Sequence, residues 1–126
     1  MSKADAAGTL SKLIDGFVNR AMAGVHVAIP CRVVMFDETT CRADVQPLVR
    51  TGDDMPAVLQ SVPSLGRKRK IGSDIDVEKP FYEKGDVVYV VCADREIKNT
   101  LRGQVAAPDS TRVHDINDAV IVGVFL

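Results

Sequence analysis

The sequence predicts a mainly β fold, in which one N-terminal amphipathic α-helix precedes a small antiparallel barrel. Three observations support this prediction: an uncharged apolar run at Val87–Cys92, two strand-like runs joined by a short polar turn, and the absence of periodic helices between the strands. A parallel sheet needs such helices as crossover connections, so that class is disfavoured. About five strands with short connections fit a five-stranded OB-type barrel, and an SH3-like barrel is the alternative.

Length and composition narrow the classes of function. The chain has 126 residues, which indicates a single domain with its own core. Its net charge is -1, aromatic residues make up 5% of it and it has no tryptophan. Binders of single-stranded nucleic acid rely on basic grooves and aromatic stacking platforms, so this class is disfavoured. The sequence has neither a signal peptide nor a run near the roughly 20 apolar residues of a membrane span, so we expect synthesis in the cytoplasm.

The N-terminal region has helical periodicity. We expect a flexible N-terminus over residues 1–8, an amphipathic helix over residues 9–24 and the barrel over residues 25–126. Thr9 can cap the first turn and Gly24 can end the helix. Apolar residues at 3.6-residue spacing share one face, namely Leu10, Leu13, Ile14, Phe17, Val18, Ala21 and Val25. This face either covers the chain's own barrel or packs against another subunit.

Two runs in the first half of the chain predict a long β-hairpin. Val25–Phe36 is rich in β-branched residues, and Pro30 within it indicates an edge position or a bulge. Asp37–Thr40 is a polar turn. Cys41–Arg50 then alternates between apolar and polar residues, which is the pattern of a half-buried strand.

A third run, Val87–Cys92, predicts the central strand of the barrel. The segment Lys84–Asp86 before it has the glycine and aspartate of a tight turn. Four valines and a tyrosine in six residues favour a strand over a helix. Because the run carries no charge, we expect it to be buried on both faces. Ala57–Val62 adds a short strand that ends at Pro63.

The last apolar strand is Ala119–Leu126. Such a segment is seldom left in water, so either it pairs inside the barrel or a partner covers it. Together with the apolar face of the helix it supplies candidate contacts between subunits or with other proteins. These candidates are Leu10, Leu13, Ile14, Phe17, Val18, Val124, Phe125 and Leu126.

A dense run of positive charge lies in the polar segment Ser64–Asp76. Its members are Arg67, Lys68, Arg69 and Lys70. Such a run is most often a solvated loop tip. It could instead bind phosphates, nucleic acid or an acidic partner surface, although no aromatic residue is interleaved with it.

The sequence contains no motif for nucleophilic, nucleotide-dependent or zinc-dependent catalysis. We therefore expect no enzyme activity, no cofactor and no small-molecule substrate. His114 beside Asp115 is interpreted as a local hydrogen-bonding cluster in a turn. Cys31, Cys41 and Cys92 lack the spacing of metal ligands and are interpreted as small buried thiols, so we expect no metal site. Burial should raise the pKa of Cys92 and leave it unreactive.

Three segments, in their order along the chain, resemble a known family. They are Val45–Val49, the stretch Lys84–Ile97 and Arg112–Ala119, with Ser61–Pro63 fitting between the first two. The resemblance is to the N-terminal OB-fold domain of baseplate central spike proteins from contractile-tailed phages, the membrane-piercing family. It covers residues 29–126.

This resemblance implies a structural virion protein in the tail baseplate of a phage or a related contractile injection machine. The family's domain forms a homotrimer that connects the spike to hub proteins at the end of the tail tube. The family's β-helix and metal-stabilised apex have no counterpart here, so the resemblance implies a small trimeric baseplate spike or hub plug, with any piercing tip either reduced or supplied by a separate protein. The alternative is an OB-fold protein that binds single-stranded nucleic acid through residues 67–70.

Overall fold

The computed structural model describes residues 3–126, and of Lys3 and Ala4 only the backbone. The described chain is one helix followed by strands, so the mainly β class with an N-terminal helix is confirmed. The elements are α1 (Lys3–Ala23), β1 (Ala28–Asp37), β2 (Arg42–Pro47), β3 (Leu59–Pro63), β4 (Arg67–Ile71), β5 (Asp74–Glu78), β6 (Val87–Cys92), the 3-10 helix η1 (Ile116–Asp118) and β7 (Ala119–Val124).

Five strands form one antiparallel sheet in the order β3-β2-β1-β6-β7. The sheet curls until its two edge strands approach each other. Just after β3, Ser64 forms a parallel bridge with Ile121 of β7, and the Leu65 N–H donates to the Ile121 carbonyl at 3.0 Å. This curled five-stranded sheet confirms the predicted OB-type barrel.

The core lies inside the curl and is built from alternating strand positions. Buried side chains from all five strands meet there, joined by Tyr82 from the loop before β6. The cluster consists of Cys31, Val33, Ala43, Val45, Leu59, Val62, Tyr82, Val88, Val90, Cys92, Ala119 and Ile121. Each fully buried aliphatic side chain stabilises the fold by about 1.5–3 kcal/mol relative to an exposed one. Phe36 packs edge-on against Tyr82, with ring centroids 5.3 Å apart.

The predicted strand Val87–Cys92 is confirmed with the same bounds as β6, but its predicted burial on both faces is wrong. Val88, Val90 and Cys92 face the core, whereas Tyr89 is 38% exposed. Only one face of this sheet is covered, so an apolar run here faces the core and the solvent in alternation. The middle position of the sheet belongs to β1, which pairs with both β2 and β6.

The predicted β-hairpin is confirmed as β1 and β2. Asp37 orders the turn, because its Oδ1 accepts from the backbone N–H of Thr39 at 2.9 Å. Pro30 lies in an interior strand, so its predicted edge position is wrong, and the bulge lies between Val33 and Met35. Pro30 is tolerated because it lies beyond the last β1–β2 pair, where its carbonyl accepts from the Leu48 N–H at 3.0 Å.

The helix is longer than predicted. It begins at Lys3 rather than Thr9, so the predicted start of the helix is wrong, whereas the expected flexibility of the N-terminus stays a prediction; residues 1 and 2 lie outside the described part of the chain. The segment before Thr9 contains several alanines, which are the best helix formers. Thr9 does not cap the helix; its Oγ1 donates to the Asp5 carbonyl one turn earlier, at 2.8 Å. The helix ends at Ala23, immediately before Gly24, as predicted.

The segment predicted as a polar loop, Ser64–Asp76, contains most of a second hairpin. β4 and β5 pair from Arg67 with Glu78 to Ile71 with Asp74, and they form a two-stranded sheet separate from the barrel. Gly72 has a φ of 62°, a left-handed conformation that suits the two-residue turn between these strands. The basic run therefore lies along a strand instead of at a loop tip.

Candidate functional site

The apolar stripe of α1 lies open to solvent. The predicted contact residues on it, Leu10, Leu13, Ile14, Phe17 and Val18, are between 50% and 57% exposed. Met22 extends the stripe by a further turn and is 63% exposed. From Asp5 to Gly24 every residue is exposed except Gly16, which is half-buried, so the helix stands clear of its own barrel.

A second apolar surface, the β7 patch, is defined by Tyr89, Val122, Gly123, Val124 and Phe125, which line a shallow depression on the outside of the sheet. Tyr89 and Phe125 meet edge-on, with ring centroids 5.7 Å apart. The Phe125 N–H donates to the Val87 carbonyl at 2.7 Å, which holds the chain end against β6.

The structure thus brings Val124 and Phe125 of the predicted chain-end contacts into one patch, and Leu126 beside them is also exposed. It does not bring them together with the helix stripe. Tyr89 and Val122 were not among the predicted contacts, because the β6 run was expected to be buried on both faces and only the last three residues of the chain were marked as contacts. The alternation of a one-sided sheet was the signal that could have assigned both residues to the outer face.

The β4–β5 hairpin divides the basic run between its two faces. Arg67 and Arg69 lie on one face, opposite the acidic residues of β5. Arg69 binds Asp76 at 3.1 Å and Glu78 at 3.3 Å, which offsets its charge. Lys68 and Lys70 lie on the other face, opposite Val77 and Ile75. The four basic residues therefore do not form one continuous positive surface, which weakens the nucleic-acid interpretation.

The most deeply buried charges form a cluster that we call the Arg112 clasp, comprising Glu96, Ser110, Arg112 and Asp118. Arg112 donates from Nε to Asp118 Oδ2 at 2.7 Å and from Nη2 to Asp118 Oδ1 at 3.0 Å. Its Nη1 also binds Glu96 Oε2 at 3.0 Å. Ser110 Oγ donates to the same Glu96 oxygen at 2.7 Å. The Glu96 and Asp118 side chains are only 2% and 3% exposed.

These contacts hold both carboxyl groups in their ionised form. The hydrogen bond from Ser110 lowers the pKa of Glu96 below its ordinary value, and the Asp109 N–H and the positive charges of Arg112 and Lys98 act in the same direction. The hydrogen bond from Arg112 lowers the pKa of Asp118. Burial opposes both shifts but is outweighed by the donors.

The clasp joins segments that are far apart in the sequence. Glu96 follows β6, Ser110 and Arg112 lie in the long loop, and Asp118 ends η1 directly before β7. Its oxygens are occupied by donors from the protein itself, so the cluster serves to fix this loop to the barrel. Sequence reasoning missed it, because no spacing pattern links these residues.

The predicted local hydrogen-bonding cluster is present around Asp115, but the Nδ1 of His114 takes no part in it. Asp115 caps η1, where its Oδ1 accepts from the Asn117 N–H at 2.8 Å. His114 has a φ of 46°, and its buried Nδ1 has no hydrogen-bond partner among the described residues. Its backbone connects two regions, since its carbonyl accepts from the His26 N–H at 2.9 Å.

The interpretation of the cysteines as buried thiols is confirmed for two of the three. Cys31 and Cys92 are buried, whereas Cys41 is half-buried in the β1–β2 turn. Burial raises the pKa of Cys31 to about 11 and also raises the pKa of Cys92, as predicted. Both thiols are therefore protonated at neutral pH and poor nucleophiles.

Within residues 3–126, no three side chains of histidine, cysteine, aspartate or glutamate come close enough together to hold a metal ion. The described chain has no helix that is long and apolar enough to cross a membrane.

A comparison with models of protein families identifies the family to which the barrel belongs. A family model described as the phage protein Gp138 N-terminal domain matches residues 29–123, which begin in β1 and end in β7. No curated protein matches the chain. The matched range contains all of the curled sheet except its first and last residues, Ala28 and Val124, together with the β4–β5 hairpin and the Arg112 clasp, and it leaves α1 outside. The match confirms the resemblance predicted from the three motifs, and the chain belongs to the family of the phage protein Gp138 N-terminal domain.

Proposed function

We propose that this protein is a structural component of the virion tail, a small homotrimeric baseplate spike or hub plug at the tip of a contractile tail. The observation that carries the proposal is the family match, which spans the barrel from residue 29 to residue 123. The proposed partners are further copies of the chain, the hub proteins at the end of the tail tube and a separate tip protein.

The exposed apolar surfaces support an assembled state. Soluble monomers rarely expose contiguous apolar patches larger than a few hundred Å². The described part of this chain exposes the stripe of α1 and the β7 patch, whose large apolar side chains are between 38% and 63% exposed. Both contain residues that the sequence already marked as candidate contacts, among them Phe17 and Phe125. Burial of these side chains against other subunits would contribute the hydrophobic stabilisation that they lack in a single chain.

The packing of the barrel suits a structural role. Its core is continuous across all five strands, and the Arg112 clasp ties the long loop before β7 to Glu96 in the segment after β6. Two side chains that could otherwise act in catalysis are paired or protonated. Asp118 binds Arg112, and Cys92 is a buried thiol with a raised pKa. The proposed function therefore rests on shape and assembly.

Two measurements test this proposal. Light scattering coupled to size-exclusion chromatography should give three chain masses of 13.6 kDa for the purified protein. Antibodies against the chain, viewed by electron microscopy on particles of the phage that encodes it, should label the tip of the tail. A protein that stays monomeric over a wide concentration range, or particles from which it is absent, would overturn the proposal.

A further inference from the structure

We propose that α1 of one copy packs its apolar stripe on the β7 patch of a neighbouring copy. The inference rests on the proposed homotrimer and names the surfaces that build it. The occupant of each surface is thus a second copy of this chain. Neither surface is covered within one chain: Phe17 of the stripe is 56% exposed, and Phe125 of the patch is 57% exposed.

Symmetry favours two different surfaces. A two-fold dimer can use one self-complementary patch, whereas a closed three-fold ring is built from heterologous contacts, in which one surface of each copy meets a different surface of the next. This chain has a convex helical stripe and a shallow depression on a sheet. Each copy would donate its helix to one neighbour and accept the helix of the other.

The shapes of the two surfaces match. Leu10, Ile14 and Phe17 run along the centre of the stripe, with Leu13 and Val18 on its flanks, which gives a wide ridge instead of the narrow seam of a coiled coil. In the β7 patch, Gly123 contributes no side chain, and a Cβ built there would meet nothing within 4 Å. The glycine leaves an open floor between its neighbours, into which a large helical side chain can fit.

The available area reaches the lower limit of a specific interface. Six side chains of the stripe are at least half exposed, and the β7 patch adds Tyr89, Val122, Val124 and Phe125. With roughly 100 Å² of apolar surface each, one contact buries about 600 Å² of the stripe and about 400 Å² of the patch, a total of about 1,000 Å², which is the lower limit for a specific interface.

The C-terminal end of α1 is attached to the barrel away from the β7 patch of the same chain. The His26 N–H donates to the His114 carbonyl, and the Val27 carbonyl accepts from the Cys92 N–H, each at 2.9 Å. These bonds fix the end of the linker beside the Cys92 end of β6. The patch lies toward the other end, where Phe125 binds Val87. Five residue steps of strand separate the two ends by roughly 17 Å.

The test uses complementary variants of the full chain. The helix variant carries Ile14→Asp and Phe17→Asp, and the patch variant carries Val122→Asp, each of which places a charge on one surface only. Matched controls are Asn19→Asp on the polar face of α1 and Met35→Asp at an exposed position of β1, outside the patch. Circular dichroism confirms the fold of each variant, and Phe125→Asp replaces Val122→Asp if the latter fails to fold.

We expect light scattering to give one chain mass for the helix variant and for the patch variant, and the wild-type mass for both controls. An equimolar mixture of the two variants should give two chain masses, because the intact helix of the patch variant can still bind the intact patch of the helix variant. A helix variant that is monomeric beside a patch variant of wild-type mass would indicate helix–helix packing and overturn the inference. So would wild-type mass in both variants.

The outcomes also separate this inference from the proposed function. An oligomeric wild type with an unaffected patch variant overturns only the helix-to-patch contact. A wild type that is monomeric at every concentration overturns the proposed homotrimer, and with it this inference.

Discussion

In both the Arg112 clasp and the β4–β5 hairpin, one arginine binds two carboxylates, but the surroundings differ. The clasp carboxylates, Glu96 and Asp118, are 2% and 3% exposed, whereas the two carboxylates that bind Arg69 are 44% and 42% exposed. The geometry is similar, since the shortest ion-pair distances are 2.7 Å and 3.1 Å. Burial is therefore the main variable between the two clusters.

That difference separates a structural element from an adaptable surface. Breaking a buried ion pair leaves an uncompensated charge away from water, whereas water replaces a lost partner at the surface. The clasp should therefore behave as part of the barrel core. The hairpin charges can be exchanged or re-paired at little cost, which suits a segment that meets other proteins.

The largest effect is expected from Asp118→Ala. The substitution removes both bonds to Arg112 and the acceptor for the Ile97 N–H, so we expect the free energy of unfolding to fall by about 3 kcal/mol or more. Asp76→Ala in the hairpin is the matched control and should cost less than about 1 kcal/mol. Urea unfolding followed by circular dichroism measures both. Equal costs for the two variants would contradict the comparison.

The next effect is a pH dependence that the clasp imposes. The pKa of Glu96 is lowered mainly by Ser110 and that of Asp118 mainly by Arg112. A carboxyl whose folded pKa lies below its unfolded value stabilises the protein above that unfolded value, near pH 4, and the contribution is lost as the pH falls through the folded pKa. We expect stability to decline below about pH 4 in the wild type, and less steeply in Asp118→Asn. Urea titrations at several pH values measure this dependence. If stability falls equally steeply in the wild type and in Asp118→Asn, the clasp is not the cause of the decline.

A smaller effect is a difference in salt dependence: the cost of a substitution should depend on salt in the hairpin but not in the clasp. Arg69→Ala is expected to cost less than about 1 kcal/mol at low ionic strength, and this cost should disappear near 1 M NaCl, where the Debye length is about 3 Å. The cost of Asp118→Ala should persist, because its partners are shielded from the solvent. Unfolding curves of both variants at two salt concentrations provide the measurement, and a salt-sensitive Asp118→Ala cost would contradict the expectation.

The smallest effect on stability is expected from the double variant Lys68→Glu, Lys70→Glu. Both lysines lie on the exposed hairpin, so the free energy of unfolding should change by less than about 0.5 kcal/mol. The same variant tests the nucleic-acid alternative. We expect the wild type to show no affinity for a single-stranded oligonucleotide in a filter-binding assay at low salt. Binding that the wild type shows and the variant lacks would favour that alternative.

The sequence predicted the elements whose patterns are local. Alternation along Cys41–Arg50 and the density of β-branched residues in Val87–Cys92 identified β2 and β6, because strand formation and one-sided burial both leave a period of two. The β4–β5 hairpin was missed because four consecutive basic residues suggest a solvated loop. Its signal was the Gly72–Ser73 turn between Ile71 and Asp74, which is typical of a two-residue hairpin.

The Arg112 clasp could not be predicted from local pattern. Its charges lie in the segment after β6, in a long loop and in a 3-10 helix, and the fold brings their ion-pairing atoms within 3.0 Å of each other. The sequence likewise could not predict whether the helix stripe and the β7 patch are exposed, because an amphipathic pattern does not identify the surface that covers the apolar face. Sequence patterns thus identified the surfaces but left their neighbours undetermined.

The single junction that closes the barrel has a consequence for how the protein folds. Leu65 and Ile121 are far apart in the sequence, so their bond forms only after a long loop has been closed at an entropic cost. We expect the amide proton of Leu65 to gain protection late during refolding, and to exchange with solvent earlier than those of β1 in the native state. Hydrogen exchange at this one amide would report directly on the closure of the barrel.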